Sequence, residues 1–188
     1  MKLFIVSQPK SGTYLCSNLL IELGFKSNGL HLTNDESYYQ YNLSDKNASH
    51  ERVFRKYRKI GKSLEDNLKL IEDNSFGVGH IYYNKNIHNH LQDFKLIYVY
   101  RDNNERIESY KRYNSDFKRE MPHRKIFKES YEKILPWSTY SFNLSFDDMI
   151  NKNITKIDNL QMFLYGKVKY DSNEAITSAL NKPSLTKS

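Results

Sequence analysis

The sequence contains little cysteine, proline or glycine: 1 Cys, 4 Pro and 7 Gly among 188 residues. The single cysteine, Cys16, cannot form an internal disulfide, which favours a reducing compartment and predicts a cytoplasmic protein. No apolar run approaches the ~20 residues that a membrane-spanning helix needs, and the run 3–6 is too short for a signal peptide. Because few glycines and prolines interrupt the chain, no long linker is visible. We therefore predict one domain over residues 1–180 and a flexible tail at 181–188.

Aromatic residues and positive charge are plentiful. The chain has 15 Tyr, 10 Phe and 1 Trp, a content that argues against intrinsic disorder. Its 29 Lys and Arg outnumber 22 Asp and Glu, which gives a net charge of +7. Such a charge favours anionic partners, namely nucleic acid, a membrane surface or phosphorylated small molecules. Charge alone does not choose among these partners.

Short apolar runs alternate with segments of helical periodicity. Strands are predicted at 2–6, 76–81, 95–100 and 140–146, the last from its alternating aromatic and apolar residues. Helices are predicted after the turn at 7–12, at 64–72, after Asp102, in part of 112–138, and from Asp147 onwards. Strands that alternate with helices predict an α/β fold of three layers with a central, mostly parallel sheet.

Ligands of such sheets bind at the carboxyl ends of the strands. The turn after the first strand reads Gln-Pro-Lys-Ser-Gly-Thr-Tyr over residues 8–14. Gly12 lets the backbone curl, the first helical amides point outward as donors, and Lys10 adds a cation. Ser11 and Thr13 add hydroxyls. The segment predicts a P-loop-like anion cradle, but it is not a Walker A loop, because Lys10 precedes the only glycine.

A second candidate anion site starts at Arg101, at the carboxyl end of the predicted strand 95–100. Ser109 follows eight residues later, in the next predicted helix. Both side chains can reach one phosphate, to which Arg101 would donate in bidentate fashion. Two alternatives remain open: Arg101 pairs with Asp102 or Glu105 instead, and Ser109 lies on the helix surface.

Together the two segments resemble the sulfotransferases that use 3'-phosphoadenosine 5'-phosphosulfate (PAPS) and release 3'-phosphoadenosine 5'-phosphate (PAP). Residues 9–13 are similar to the PKSGTT loop of that family, which holds the 5'-phosphosulfate, and 101–109 is similar to its 3'-phosphate motif. Residues 77–81 fall where many members carry a catalytic histidine, and 144–166 resembles the late strand and closing helix. The resemblance implies a nucleotide site made of Lys10, Ser11, Gly12, Thr13, Tyr14, Arg101 and Ser109.

The sequence departs from the family pattern at several positions. Tyr14 replaces the second threonine of the loop, and Leu15 stands where cytosolic members often place a tryptophan against the adenine. The RKGxxGxW segment, which in many members adds contacts to the 3'-phosphate, has no counterpart in 181–188. Lys182 or Lys187 can substitute for it.

The resemblance implies sulfuryl transfer to a hydroxyl or amine of an unidentified acceptor, in which Lys10 stabilises the departing phosphate oxygen. A neutral histidine suits the removal of the acceptor proton, and His80 is the first candidate for this general base. His31, Asp35 and Glu36 are the alternatives. His88 and His90 alternate without a third ligand at metal-site spacing, so we predict no metal.

Two other function classes compete with this interpretation. An atypical nucleotide-binding kinase would need a Walker lysine and a Mg²⁺-binding aspartate at a strand end, and the sequence offers neither clearly. A basic, non-enzymatic protein that binds nucleotides or nucleic acid would be expected to carry a known recognition motif, and none appears. The acceptor itself, whether small molecule, glycan or peptide, is not specified by the sequence, and neither is the oligomeric state.

Overall fold

A computed structural model of the protein describes residues 1–33, 39–40, 58–59, 63–116 and 124–182. Its sheet has seven strands in the order β4-β3-β2-β5-β1-β6-β7. The strands are β1 (Lys2–Ser7), β2 (Lys26–Thr33), β3 (Tyr39–Gln40), β4 (Arg58–Lys59), β5 (Ser75–His80), β6 (Phe94–Tyr100) and β7 (Phe142–Ser145).

Strand β1 lies at the centre of a parallel sheet. Ile5 of β1 pairs with Val78 of β5 on one side and with Ile97 of β6 on the other. Strands β2 and β7 extend this parallel arrangement, while the short β3 and β4 pair antiparallel at one edge. The predicted α/β fold with a mostly parallel central sheet is therefore confirmed.

Helices cover both faces of the sheet. They are α1 (Thr13–Glu22), α2 (Leu64–Lys69), α3 (Lys85–His90), α4 (Asn103–Asp116), α5 (Arg124–Ile134), a 3₁₀ segment (Leu135–Tyr140), α6 (Phe146–Ile150), α7 (Ile154–Tyr165) and α8 (Ser172–Asn181). Side chains of β1 alternate between two cores because successive strand residues point to opposite faces. Leu3 and Ile5 join the core beneath α1, α7 and α8, whereas Phe4 and Val6 join the core beneath α2, α5 and Trp137.

The connection from β1 to α1 follows the prediction closely. Gly12, with φ of 91°, is the N-cap of α1, and Gly24, with φ of 88°, follows the C-cap Leu23. Left-handed backbone of this kind favours glycine, since a Cβ atom would crowd the following carbonyl. The two glycines thus fix where α1 begins and ends.

Other parts of the chain differ from the predictions. Tyr140 ends a 3₁₀ segment rather than starting a strand, and Phe146 begins α6, because Ser145 and Asp148 form a capping box there. The single helix predicted from Asp147 is two helices, separated at Lys152, whose φ is 51°. Strand β2 and helices α3 and α8 were not predicted. Helix α8 reaches Asn181, and the rest of the predicted tail, 183–188, lies outside the described residues.

Within the described ranges, no helix combines the length and apolar character that a bilayer crossing requires.

Candidate active site

The loop between β1 and α1 leads into the N-terminus of a helix. The first intrahelical bond of α1 runs from the amide of Cys16 to the carbonyl of Gly12, at 3.0 Å. The amides of Thr13, Tyr14 and Leu15 therefore lack intrahelical acceptors, as expected of a first helical turn. No acidic residue stands in this turn. The helix dipole adds partial positive charge at the same end, so the loop suits an anion.

Two hydroxyls lie inside this loop. The Ser11 side chain is fully buried, and its Oγ has no hydrogen-bond partner among the residues that the structure describes. Thr13 Oγ1 and Ser7 Oγ are 2.6 Å apart, which links the start of α1 to the end of β1. A buried hydroxyl without a partner costs free energy. A phosphate or sulfate oxygen would satisfy Ser11, so the residues present fit an oxyanion.

His80 stands at the carboxyl end of β5, beside the end of β1. Its Nδ1 lies 2.8 Å from the carbonyl oxygen of Ser7 and 3.2 Å from Ser7 Oγ. Because a carbonyl only accepts, Nδ1 donates there, and the neutral ring keeps its lone pair on Nε2. Burial lowers the pKa of His80 to about 4, against the raising effect of the Ser7 carbonyl, and the charges of Arg106 and Lys10 lower it further. His80 is therefore a neutral hydrogen-bond acceptor at pH 7.

His31 lies against His80. The two ring centroids are 4.8 Å apart in an edge-to-face arrangement, and the ring of Tyr14 is 6.3 Å from His31. Burial, followed by the neighbouring His80, holds the pKa of His31 well below its usual range. The two histidine candidates for the general base thus belong to one cluster. The alternatives Asp35 and Glu36 lie outside the described residues.

Arg101 takes one of the alternatives that the sequence left open. Its Nε donates to Glu105 Oε2 at 2.8 Å, and its guanidinium lies over the ring of Phe146, 4.0 Å from the centroid. Asp102 caps α4, accepting from the amides of Asn104 and Glu105. The Glu105 carboxylate itself binds Arg101. Two Nη groups of Arg101 are available for a phosphate in this arrangement.

Ser109 and Lys182 occupy different parts of the fold. Ser109 is half-buried in α4, six residues after its start, which is about 9 Å along the helix. Lys182 pairs with Glu22, the last residue of α1. Glu22 lies nine residues after Thr13, or about 14 Å from the cradle. Lys182 therefore lies away from the candidate nucleotide site, and Lys187 lies outside the described residues.

A cleft of about 520 Å³ opens at the carboxyl ends of β6 and β7. This volume is within the usual range for small-molecule sites. The cleft borders the candidate nucleotide site through Arg101, and its floor is connected to the loop by a 2.9 Å hydrogen bond from Gln8 Nε2 to the Tyr98 hydroxyl. It is lined by Tyr98, Tyr100, Arg101, Tyr131, Asn143 and Asp147, among others.

Comparison with known proteins gives a structural match only. No protein-family model matches the sequence, and no curated protein matches it. Among solved structures, mouse sulfotransferase SULT7A1 complexed with PAP matches with a TM-score of 0.59 and 17% sequence identity. The match covers 97% of this chain and 63% of that chain. The chain has the fold of a sulfotransferase.

Two residues near the site of this sulfotransferase-like fold were not predicted. Arg106 is fully buried in α4, and Phe146 packs against both Gly12 and Arg101. A signal for Arg106 exists in the sequence, because it precedes Ser109 by three residues and so shares its helix face. Phe146 has no comparable local signal, since its contacts lie far away in the chain.

No cluster of three or more His, Cys, Asp or Glu side chains placed to hold a metal occurs in the described part of the chain. His88 and His90, the alternating pair, lie in α3, where His88 packs against Trp137 and Tyr140 and His90 pairs with Glu65.

Proposed function

We propose that this protein transfers a sulfuryl group from PAPS to a hydroxyl or amine of an acceptor. The observation that carries the proposal is the cradle after β1, where the first-turn amides of α1 and the buried Ser11 hydroxyl lie in one loop with Lys10. The likeness to a sulfotransferase complexed with PAP supports the same donor at the level of the fold. His80 of the neighbouring strand lies close to this loop, because Ser7 Oγ contacts both Thr13 Oγ1 and His80 Nδ1. An anion bound in the loop would therefore lie near His80.

The proposed step is an in-line displacement. A bond forms between the acceptor oxygen and sulfur while the bond from sulfur to the bridging phosphate oxygen breaks, leaving the electron pair on that oxygen. Lys10 stabilises the charge that develops there, since fixed charges contribute most where charge changes in the transition state. The acceptor proton goes to Nε2 of His80, which is unprotonated at neutral pH.

Binding of the nucleotide is assigned to both halves of the site. Ser11, Gly12, Thr13 and Tyr14 contribute the amides and hydroxyls of the cradle to the 5'-phosphosulfate. Arg101 and Ser109 receive the 3'-phosphate, for which Arg101 offers its two Nη groups while Glu105 holds Nε.

The cleft beside Arg101 is assigned to the nucleoside part of PAPS, because Arg101, which lines it, is assigned to the 3'-phosphate. Its tyrosines offer flat apolar faces for a base, and Asn143 and Asp147 add hydrogen-bonding groups. The acceptor, a small molecule or part of a glycan or peptide, is assigned to the other side of the cradle, beside β5, where His80 can accept its proton. Tyr131→Ala is expected to weaken PAP binding, and Tyr140→Ala, at an exposed tyrosine outside the cleft lining, is the matched control. Equal PAP affinities of the two variants would place the nucleoside elsewhere.

The function is tested by nucleotide binding and by transfer. The protein should bind a resin that carries adenosine 3',5'-bisphosphate and be released by that nucleotide but not by ATP. Release by ATP would favour a kinase, and release by nucleic acid would favour a nucleic-acid-binding protein. Labelled PAPS with a panel of hydroxyl and amine acceptors then identifies the acceptor class.

Lys10→Ala tests the proposed step directly. The variant keeps a Cβ atom at a backbone position with φ of 67°, so the strain of the loop is unchanged and the fold should be retained. Transfer should fall by about 10²-fold or more, the usual size for loss of a group that stabilises developing charge. Lys26→Ala, at an exposed lysine at the start of β2, is the matched control. Near wild-type turnover of the Lys10 variant would show that the phosphosulfate binds elsewhere.

A further inference from the structure

Arg106 is completely buried, with 0% of its surface exposed. It lies in the first turn of α4, between the loop that carries Lys10 and the cleft tyrosines. Burial lowers the pKa of Arg106 to about 10, so it is charged at neutral pH. Arginine is almost never fully buried unless its charge is compensated by hydrogen bonds or by a partner. The position therefore calls for a structural or functional reason.

The hydrogen bonds of Arg106 connect two chain segments. Its Nε donates to the carbonyl oxygen of Pro9 at 3.1 Å, across 97 residues of sequence, and its Nη1 donates to Asn103 Oδ1 at 2.7 Å. Pro9 immediately precedes Lys10, and Asn103 begins α4. The guanidinium thus fixes the loop of the cradle to the helix that carries Ser109.

The backbone of Lys10 explains why such a connection is needed. Its φ of 67° is left-handed, which costs a non-glycine residue roughly 1–2 kcal/mol. A conformation of this kind persists only where the surroundings hold it in place. The bond from Arg106 to the carbonyl of Pro9 holds the peptide group that enters Lys10. It also turns that carbonyl towards α4, so that a negative oxygen does not face the anion.

We propose that Arg106 is a positioning residue that fixes the turn at Pro9 and Lys10 and keeps the cradle at a set distance from Ser109. This role rests on the proposed function, because it concerns the two halves of the nucleotide site. Lysine cannot replace arginine in it, since one ammonium lacks the planar group that reaches the Pro9 carbonyl and Asn103 together. Arg106 also adds positive charge near His80, together with Lys10, while His31 is the other titratable group described beside that ring.

The test compares Arg106→Gln and Arg106→Lys with Arg112→Gln. Arg112 is exposed on the same helix, so its variant makes the same charge change without touching the loop. The first readout is hydrogen exchange of the Ser11 amide, which donates to the Gln8 carbonyl at 3.3 Å within the loop. Both Arg106 variants should exchange this amide about tenfold faster or more, because local opening becomes easier, whereas the Arg112 variant should match the wild-type protein.

Kinetics and NMR give two further readouts. Both Arg106 variants should lower kcat by about 10²-fold, the usual effect of a small misplacement of a reacting group. Affinity for PAP should change by only about threefold, because the amides and Arg101 still bind it. The pKa of His80 should rise in Arg106→Gln, which removes a positive charge, but not in Arg106→Lys, which keeps it.

Wild-type exchange at Ser11 in either Arg106 variant would overturn the proposal, as would full recovery of kcat in Arg106→Lys. Equal effects in Arg112→Gln would also overturn it, because they would reflect a general loosening of α4. If Arg106→Gln does not fold, the same measurement of Ser11 amide exchange is made on Arg106→Lys and Asn103→Ala. Both should exchange faster than the wild-type protein, and wild-type exchange in both would overturn the proposal. Absence of PAP binding by the wild-type protein would instead refute the proposed function, whereas the exchange measurement needs no nucleotide.

Discussion

The guanidinium of Arg101 lies 4.0 Å from the centroid of the Phe146 ring, and the same ring contacts Gly12. A Cβ atom built on Gly12 would come within 2.5 Å of Phe146 Cδ2. Phe146 is thus the shared neighbour of the cradle and of the arginine proposed to bind the 3'-phosphate. Because both contacts involve one ring, a substitution at Gly12 that displaces this ring should also displace the guanidinium of Arg101.

Gly12→Ala is expected to weaken binding of PAP by about tenfold or more, since the new methyl group displaces Phe146 and strains a backbone with φ of 91°. Gly166→Ala is the matched control. Gly166 has a φ of 72° but no atom within 4 Å of a built Cβ, so its variant carries backbone strain alone. Calorimetry with PAP and urea unfolding should show reduced stability for both variants but weaker binding only for Gly12→Ala. Unchanged PAP affinity in Gly12→Ala would show that this loop does not bind the nucleotide.

Arg101→Ala and Ser109→Ala should weaken binding of PAP much more than binding of the same nucleotide without its 3'-phosphate. An arginine bonded to a phosphate contributes ~1.5–3 kcal/mol as a charge-assisted hydrogen bond, so the Arg101 variant should show the larger loss. Calorimetric titration with both nucleotides measures the difference. Equal losses of affinity for the two nucleotides would mean that Arg101 has only a structural role, through its contacts with Glu105 and Phe146.

The parts of the fold that sequence alone predicted are those with local signals. Strand β1 is a continuous apolar run, and Gly12 and Gly24 mark the ends of α1. Strand β2 was missed because its run from Lys26 is largely polar and contains a glycine. Its place in the sheet comes from pairing with β5, whose register shifts between Ser27 and His31. The sequence of β2 therefore lacks the regular alternation of apolar and polar residues from which a strand is predicted.

In the candidate site, too, residues with local sequence signals could be predicted and those that depend on long-range contacts could not. The cradle is a contiguous segment, so its residues could be named from the sequence, and their binding roles stay predictions. The state of His80 could not be inferred, because it depends on burial and on the Ser7 carbonyl, which lies 73 residues away. From the sequence alone, His80 is assigned the ordinary histidine pKa near 6.5, whereas burial in the structure lowers this pKa to about 4. The role of Arg106 likewise depends on a bond across the fold to Pro9.

Acid should destabilise the protein before its carboxylates titrate. The pKa of His80 is lowered to about 4 and that of His31 is also lowered, whereas an unfolded histidine titrates near 6.5. Between these values the unfolded chain binds more protons, so the free energy of unfolding decreases as pH falls from about 6.5 towards 4. Urea unfolding at a series of pH values should show a shallower decrease in His80→Asn and in His31→Asn. Parallel curves for the wild-type protein and both variants would contradict the burial of these rings.

The last prediction concerns His80 as the general base. For the free enzyme, kcat/KM should rise with pH through an apparent pKa near 4 and be level at neutral pH, because only the neutral ring accepts the acceptor proton. The kcat profile, which reports the complex, should rise at a higher pH, since a bound anion beside Lys10 favours the protonated ring. His80→Asn should remove this dependence and lower turnover by about 10²-fold or more while PAP still binds. His31→Asn should retain the dependence, because His80 Nε2 remains. An active His80→Asn enzyme with an unchanged profile would reject the assignment and leave His31, Asp35 and Glu36 as the candidates.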